Sequence, residues 1–194
     1  RCVTTLDALE PPSFAVLGNH DHWTDGARAQ AAFEASRIEL LTNAHRELDL
    51  GRDEPLLVVG VDDEVTGHAD VEVAFAGVDP ERFCLTLNHV PSLAPKCAEA
   101  GAHLILSGHT HNFQFNIPRL TNRLARTFGT RFFAGPYRLE EAFLYINRGL
   151  GSASWPWRIR AAPELTYIEL EPGRHPILEL ERSETIRVEH RPDQ

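Results

Sequence analysis

The segment SFAVLGNHD (residues 13–21) runs directly from a mainly apolar stretch into the polar residues of its last third. Its apolar part, residues 13–17, predicts a short buried strand. The same succession occurs twice more, in CLTLNHVP (residues 84–91) and in LILSGHTH (residues 104–111). In open α/β sheets, ligands bind beyond the carboxyl ends of the strands, where the following loops meet. Three apolar strands that are each followed by histidine therefore predict one shared site at the edge of a sheet.

Helical and extended patterns alternate along the rest of the chain, as in α/β proteins. The continuous apolar run PLLVVGV (residues 55–61) predicts a strand that is covered on both faces. The alanine-rich stretch at residues 25–37 predicts a helix with Thr24 as its N-cap. We predict one α/β domain over residues 1–170 and a polar tail over residues 171–194. Further strands are predicted at residues 38–41, 82–87, 103–107, 142–147 and 165–170, further helices at residues 71–77 and 92–100, and one extra strand in the tail at residues 177–181.

The composition excludes several classes of protein. With 194 residues, of which 42% are hydrophobic and 24% charged, the chain is typical of a folded globular domain. A net charge of −9 argues against a nucleic acid as partner. No apolar run approaches the roughly 18 residues that a membrane-spanning helix needs. The cysteines Cys2, Cys84 and Cys97 are odd in number and lack CxxC spacing, so we predict ordinary core residues, not metal ligands or a disulfide framework.

Histidine is the residue type that all three strand ends share. Imidazole nitrogens bind transition metals, and the amide oxygen of Asn19 has the chemistry to complete a mixed nitrogen and oxygen site. His109 and His111 are two positions apart, so on an extended segment both point to the same side. Each motif alone is more often a turn or a surface strand than a ligand set. Their recurrence after three apolar strands favours a metal site, and the HxHxDH pattern of metallo-β-lactamases is not complete here.

Taken as a set, these motifs resemble those of the calcineurin-like metallophosphoesterases. They are, in chain order, GNHD (residues 18–21), the histidine of NHVP (His89) and GHTH (residues 108–111). Two longer stretches, LVVGVDDEVTG (residues 57–67) and INRGLG…WRIRAAPELTYIEL (residues 146–170), are similar to a bacterial phosphodiesterase branch, many of whose members work at the cell envelope. The resemblance covers about residues 11–170. It implies a four-layer sandwich of two mixed β-sheets flanked by helices.

The resemblance also implies an activity, which is the metal-dependent hydrolysis of a phosphodiester in a lipid or cell-envelope metabolite. Two divalent ions of manganese, iron or zinc are the implied cofactors. The implied ligands are Asn19, His89 and His109 for one ion and His111 for the other. His20 is implied to contact the phosphate and to protonate the leaving oxygen, while Asp21 orients His20.

The chain departs from the family pattern in two places. The family motifs DxH and GDxxD do not precede GNHD, where Asp7 is the only aspartate. Those motifs supply the carboxylate that bridges the two ions. We therefore expect an N-terminal strand–helix–strand unit to be missing and this chain to hold at most one ion. The alternative function is a non-catalytic, single-metal-binding remnant of the fold. In addition, NFQ (residues 112–114) stands where the branch usually has GGQ.

A basic segment raises the question of partners. No acidic residue occurs from Leu104 to Leu139, whereas Arg119, Arg123 and Arg126 are spaced as on one face of a helix. This pattern is typical either of a solvated amphipathic helix or of a basic rim for an anionic substrate or lipid headgroups. The expected partners are a phosphoester substrate, a membrane surface through these arginines, and a second copy of the chain through an exposed strand edge. The expected location is the cytoplasm or the cell envelope.

Overall fold

The computed structural model describes residues 2–9, 11–52, 54–127, 131–152 and 157–171. The strand predicted in the tail, at residues 177–181, lies outside these residues. Within them, the short helix α1 (Cys2–Leu6) precedes the first strand, and the helix α5 (Pro118–Thr127) follows the GHTH segment.

A mixed six-stranded sheet forms the centre of the molecule. Its spatial order is β3 (Ala44–Leu48), β4 (Leu56–Val61), β5 (Cys84–Asn88), β6 (Leu104–Ser107), β8 (Ala142–Ile146) and β7 (Gly135–Leu139). The four inner strands run parallel, and the two edge strands β3 and β7 pair antiparallel to their neighbours. The carboxyl ends of β4, β5 and β6 therefore lie side by side along one edge of the sheet.

A second, smaller sheet packs against one face of the large one. It consists of β1 (Ser13–Ala15) and β2 (Ile38–Leu40), which pair in parallel and are connected by the helix α2 (Asn19–Glu34). A Cβ atom built at Gly60 would collide with the Cβ of Leu41, so only glycine allows β4 and the end of β2 to approach this closely. The small sheet is thus pressed onto the middle of the large sheet, with α2 packed against β2.

The other face of the large sheet is covered by the helices α3 (Val71–Ala74) and α4 (Ala94–Glu99). Alternate residues of β4 face this side, as expected for a strand, and the main buried cluster includes Leu57, Val59, Val61, Leu93, Cys97, Ile105 and Leu144. Burial raises the pKa of the Cys97 thiol to about 12, so this cysteine acts as a core residue. The layers helix, sheet, sheet and helix confirm the predicted α/β sandwich. Among the described residues, however, only the larger sheet is mixed, because the smaller one has two parallel strands.

The structure differs from the predicted secondary structure at several elements. The helix expected at residues 25–37 begins at Asn19, and the GNHDHW stretch forms its first turns, with a break in helical geometry at Asp25. The edge strands β3 and β7 were not predicted, because their residues alternate between half-exposed and exposed and lack an apolar run. Residues 165–170 form no strand. Since β8 is already flanked by β6 and β7, it offers this segment no free edge.

Candidate metal centre

Three elements bring their polar ends to the same edge of the large sheet. His89 directly follows β5, and His109 lies two residues beyond the end of β6. Asn19 is the first residue of α2, which begins where the chain leaves β1. The parallel order of β5 and β6 makes the two histidines neighbours, and the packing of the small sheet on the large one places Asn19 opposite them.

The donor atoms of these residues form a nearly equilateral triangle. Asn19 Oδ1 lies 3.0 Å from His89 Nε2 and 3.2 Å from His109 Nδ1. The two ring nitrogens are 3.2 Å apart. We call Asn19, His89 and His109 the strand-end cluster. Ligand atoms at about 2.1 Å from one cation are about 3.0–3.4 Å apart, depending on whether the geometry is octahedral or tetrahedral. The triangle therefore has the dimensions of a metal-ligand set.

The protonation of the two histidines also suits a cation. Burial and the neighbouring His109 lower the pKa of His89 to about 4, so His89 is neutral at physiological pH. Burial likewise lowers the pKa of His109. A proton on one ring nitrogen leaves the other two atoms of the triangle with lone pairs that face each other, whereas a cation binds all three lone pairs. Among the described residues, no group of three His, Cys, Asp or Glu side chains is placed to hold a metal ion, and the third atom of the triangle is the amide oxygen of Asn19.

The start of α2 is shaped by Gly18 and Asp21. The carboxylate of Asp21 accepts a hydrogen bond from the Gly18 N–H at 2.9 Å, which caps the first turn. A Cβ atom at Gly18 would lie 2.8 Å from the ring of His89, so glycine is required here for close approach, not for an unusual φ. The next residue, His20, is exposed and packs edge-on against Trp23 at 5.3 Å between ring centroids. The carboxylate of Asp21 is thus bonded to the Gly18 N–H. That Asp21 orients His20 stays a prediction.

The side chain of His111 contacts Arg158, which is not part of the strand-end cluster. Its Nδ1 atom is 3.1 Å from Nη2 of Arg158, and burial and this guanidinium lower the pKa of His111. Arg158 also donates to the carbonyl groups of Arg148, at 3.0 Å, and of Gly151, which fixes the loop beside His111. Residues 111–114, which we call the left-handed segment, all have positive φ between 49° and 56°. The structure therefore unites three of the four predicted ligands and places the fourth against an arginine.

Comparison with known proteins identifies relatives of one kind. The chain is 29% identical over 172 residues to the uncharacterized metallophosphoesterase YkuE of Bacillus subtilis, a match that covers 87% of this chain and 60% of the relative. It is 27% identical over 179 residues to the phosphodiesterase YaeI of Escherichia coli, covering 84% and 62%. It is 28% identical over 102 residues to the UDP-2,3-diacylglucosamine pyrophosphatase LpxG of Chlamydia trachomatis, covering 48% and 31%.

These similarities support the assignment of the chain to the calcineurin-like metallophosphoesterase superfamily that its motifs resemble. It spans about three-fifths of the length of YkuE and YaeI. No protein-family model and no solved structure matches the chain.

Two further aspartates lie at the site but were not predicted as functional. Asp62 and Asp63 directly follow β4, the third strand that ends at this edge. Asp63 is fully buried, accepts from the Thr66 N–H at 2.8 Å through Oδ1, and has no hydrogen-bond partner for Oδ2 among the described residues. Its negative charge raises the pKa of His89 and His109 against the effect of burial. The sequence signal that could have identified Asp62 and Asp63 is their position immediately after a buried strand.

Proposed function

We propose that the domain over residues 1–170 carries the hydrolytic centre of a metal-dependent phosphodiesterase. The observation that supports this most directly is the triangle of donor atoms in the strand-end cluster, with sides of 3.0–3.2 Å. Its three residues would hold one divalent cation, for which manganese, iron and zinc suit the mixed nitrogen and oxygen donors. When bound, such a cation supplies Lewis-acid stabilisation of phosphoryl charge and lowers the pKa of a water molecule.

His20 is the residue proposed to protonate the leaving oxygen. It is exposed at the first turn of α2, next to Asn19, and therefore faces outward beside the metal ligands. The backbone N–H groups of Asn19 and His20, at the start of α2 and before its break at Asp25, would also attract the negative charge of a phosphate group. A substrate phosphate that is bound there brings its leaving oxygen within reach of the imidazole. General-acid catalysis of this kind contributes about 10²–10⁴-fold to the rate.

The test of this function is the substitution His20→Ala, measured on an unactivated phosphodiester and on a p-nitrophenyl diester. We expect kcat to fall about 10²–10⁴-fold on the first substrate and much less on the second, because p-nitrophenolate leaves without protonation. His45→Ala, on the edge strand β3, is the matched control. An equal loss on both substrates would instead make His20 a phosphate-binding residue. A loss of bound metal in His20→Ala would make it a ligand.

A second candidate function is metal binding without turnover. It is favoured by the contact of His111 with Arg158. The fourth predicted ligand faces the guanidinium group of this arginine. Under this alternative, the chain binds about one metal ion and shows no hydrolysis of either diester at any metal concentration. Under the first proposal, hydrolysis rises with occupancy of the strand-end cluster.

We also propose that the protein contacts the anionic surface of a membrane, from the cytoplasmic or the envelope side, to reach a lipid substrate. Arg119, Leu120 and Arg123 are all exposed on α5. Exposed apolar residues continue this surface, namely Phe115, Ile117, Trp157 and Ile159, and Phe115 and Ile159 are joined by a β-bridge. The side chain of Arg126 and all of Trp155 lie outside the described residues. Among those described, no helix combines the length and the apolar character needed to cross a bilayer.

Vesicle binding tests this surface. We expect the chain to sediment with vesicles that contain phosphatidylglycerol and not with pure phosphatidylcholine vesicles. The double substitution Arg119→Gln and Arg123→Gln should weaken binding by about 1 kcal/mol per arginine. Arg28→Gln and Arg52→Gln, at exposed positions on α2 and after β3, form the control pair. Equal binding by both double variants would overturn the proposal.

Self-association is the last proposed property. Within the described residues, β1 pairs only with β2, so its other edge has no partner strand there. Unpaired strand edges favour pairing with another chain. We expect light scattering to detect dimers or larger species at high concentration. A single monomeric species under these conditions would contradict this proposal.

A further inference from the structure

His22 makes a close polar contact that the proposed chemistry does not use. It lies one turn into α2, three residues after Asn19, so both side chains emerge from the same side of the helix. Its Nε2 atom is 2.8 Å from Oδ1 of Asp62, with the ring N–H donating and the carboxylate accepting. The two side chains are 12% and 4% exposed. A short hydrogen bond between an imidazole and a buried carboxylate is among the stronger contacts in a protein.

Asp62 is itself held rigidly. Its backbone N–H donates to Oδ1 of Asn43 at 3.0 Å, and its own Oδ1 accepts from the N–H of Asp63 at 2.8 Å. It also directly follows β4, an inner strand of the large sheet. The carboxylate is therefore a fixed point on the large sheet, whereas His22 belongs to a helix that packs on the small sheet.

Three side-chain contacts connect the first turn of α2 to successive strand ends of the large sheet. His22 reaches Asp62 beyond β4, and Asn19 reaches His89 beyond β5 and His109 beyond β6. The two contacts of Asn19 use the same lone pairs that a cation would take. The hydrogen bond between His22 and Asp62 remains a direct link between α2 and the large sheet when the cluster holds a metal ion.

We propose that His22 and Asp62 are positioning residues, which hold the first turn of α2 so that Asn19 Oδ1 faces His89 and His109. This inference rests on the proposed function, because that function assigns the strand-end cluster to a metal ion. A rotation of α2 by a fraction of a turn would carry Asn19 away from the two histidines. The strand-end cluster would then lose its only oxygen donor, although β5 and β6 remain in place.

The ring of His68 offers a different explanation for the position of His22. The two rings are stacked, with centroids 4.1 Å apart and an angle of 6° between their planes. His68 is exposed and is held by the Thr66 hydroxyl at 2.9 Å. If stacking alone positioned His22, removing His68 would have the same effect as removing Asp62. The two explanations are therefore separable by substitution.

The experiment compares Co²⁺ affinity, measured by absorbance titration, among variants of this chain. His22→Ala and Asp62→Ala should each weaken Co²⁺ binding about 10–100-fold, the usual effect of removing an outer-shell partner of a metal site. His22→Gln retains an N–H donor for Asp62 and should stay within about threefold of the unsubstituted chain. Glu64→Gln, in the same loop but bonded to Ser92, is the matched control. Circular dichroism checks that each variant is folded.

Hydrogen exchange of the α2 amides provides a readout that does not depend on metal. The N–H groups of Asp21 and His22 both donate to the Gly18 carbonyl. They should exchange faster in His22→Ala than in the unsubstituted, metal-free chain. If the unsubstituted chain binds no Co²⁺, the proposed function fails, and the exchange rates alone then support or overturn the positioning role. Unchanged exchange together with unchanged Co²⁺ affinity would overturn it, as would an equal loss of affinity in His68→Ala.

Discussion

The strand-end cluster and the left-handed segment both hold predicted metal ligands, but they are built in different ways. Each residue of the strand-end cluster lies at or just beyond the end of a regular element, and the donor atoms meet within 3.2 Å, although His109 itself has a left-handed φ of 65°. His111 begins the left-handed segment, and its ring contacts Arg158 instead. Donor atoms at the ends of packed strands and helices are held in position by the packing of the sheet. A ligand on an irregular segment depends on further contacts for its position.

The left-handed segment is held in place by surrounding contacts, because its backbone is costly. A left-handed conformation costs about 1–2 kcal/mol for each residue other than glycine. Such strain persists only where neighbouring structure determines the conformation. Here the Gln114 carbonyl accepts from the Ile159 N–H at 2.7 Å, and the Thr110 hydroxyl donates to the Phe133 carbonyl. The similar phosphodiesterase branch usually has glycine at the second and third positions of this segment, where this chain has Asn112 and Phe113.

The largest expected effect distinguishes the two regions by metal binding. His89→Ala removes one of three donors and should weaken Zn²⁺ or Co²⁺ binding by at least about 100-fold, more than the loss of an outer-shell group. His111→Ala should change it by less than about threefold, because His111 is not part of the triangle. Isothermal titration with each metal measures both. A similar loss in the two variants would mean that the left-handed segment shares the same ion.

The second prediction concerns the pH dependence of stability without metal. The ordinary pKa of histidine is 6.5, whereas burial and His109 lower the pKa of folded His89 to about 4. Between these values the unfolded chain binds a proton at His89 that the folded chain does not, so the free energy of unfolding falls as the pH is lowered from 6.5 to 4. His89→Gln should show a shallower decline in urea denaturation across this range. Identical slopes for the two proteins would contradict the burial of a neutral His89.

The smallest expected effect tests the backbone strain of the left-handed segment. Phe113→Gly and Phe113→Ala both remove the aromatic ring, which packs against Phe133 at 5.9 Å between centroids. Because φ of Phe113 is 56°, the glycine variant should be more stable than the alanine variant by about 1–2 kcal/mol. At Phe133, which is not left-handed, the order should be reversed. Thermal denaturation of the glycine and alanine variants at Phe113 and at Phe133 measures this. If the glycine variant were the more stable one at both positions, the difference at Phe113 would not come from backbone strain.

The proximity of His89 and His109 could be predicted from the sequence for a physical reason. Apolar runs bounded by polar residues locate β4, β5 and β6, and the parallel order of such strands brings their carboxyl ends together. His89 and His109 could therefore be placed at one edge without coordinates. Their partner Asn19 was predicted from its motif, although the helix that carries it was not. Asp21 caps that helix through a local contact with Gly18, but its position in a histidine-rich stretch suggested a loop.

Other features depend on contacts that no local pattern encodes. The link between His22 and Asp62 joins residues 40 positions apart and follows from the packing of one sheet on the other. The contact of His111 with Arg158 depends on the course of an irregular loop. Residues 165–170 alternate as a strand would, but Glu164 and Thr166 hydrogen-bond to Tyr145 and Asn147 at the end of β8, which is already paired on both sides and offers no edge at that place.

We propose that Asn19, His89 and His109 form one metal site and that His111 lies outside it. A crystal of the Zn²⁺-loaded chain, with data collected on both sides of the zinc absorption edge, tests this most directly. We predict a single anomalous peak about 2.0–2.2 Å from Asn19 Oδ1, His89 Nε2 and His109 Nδ1. A peak within that distance of a His111 ring nitrogen, or the absence of a peak at the strand-end cluster, would contradict the account.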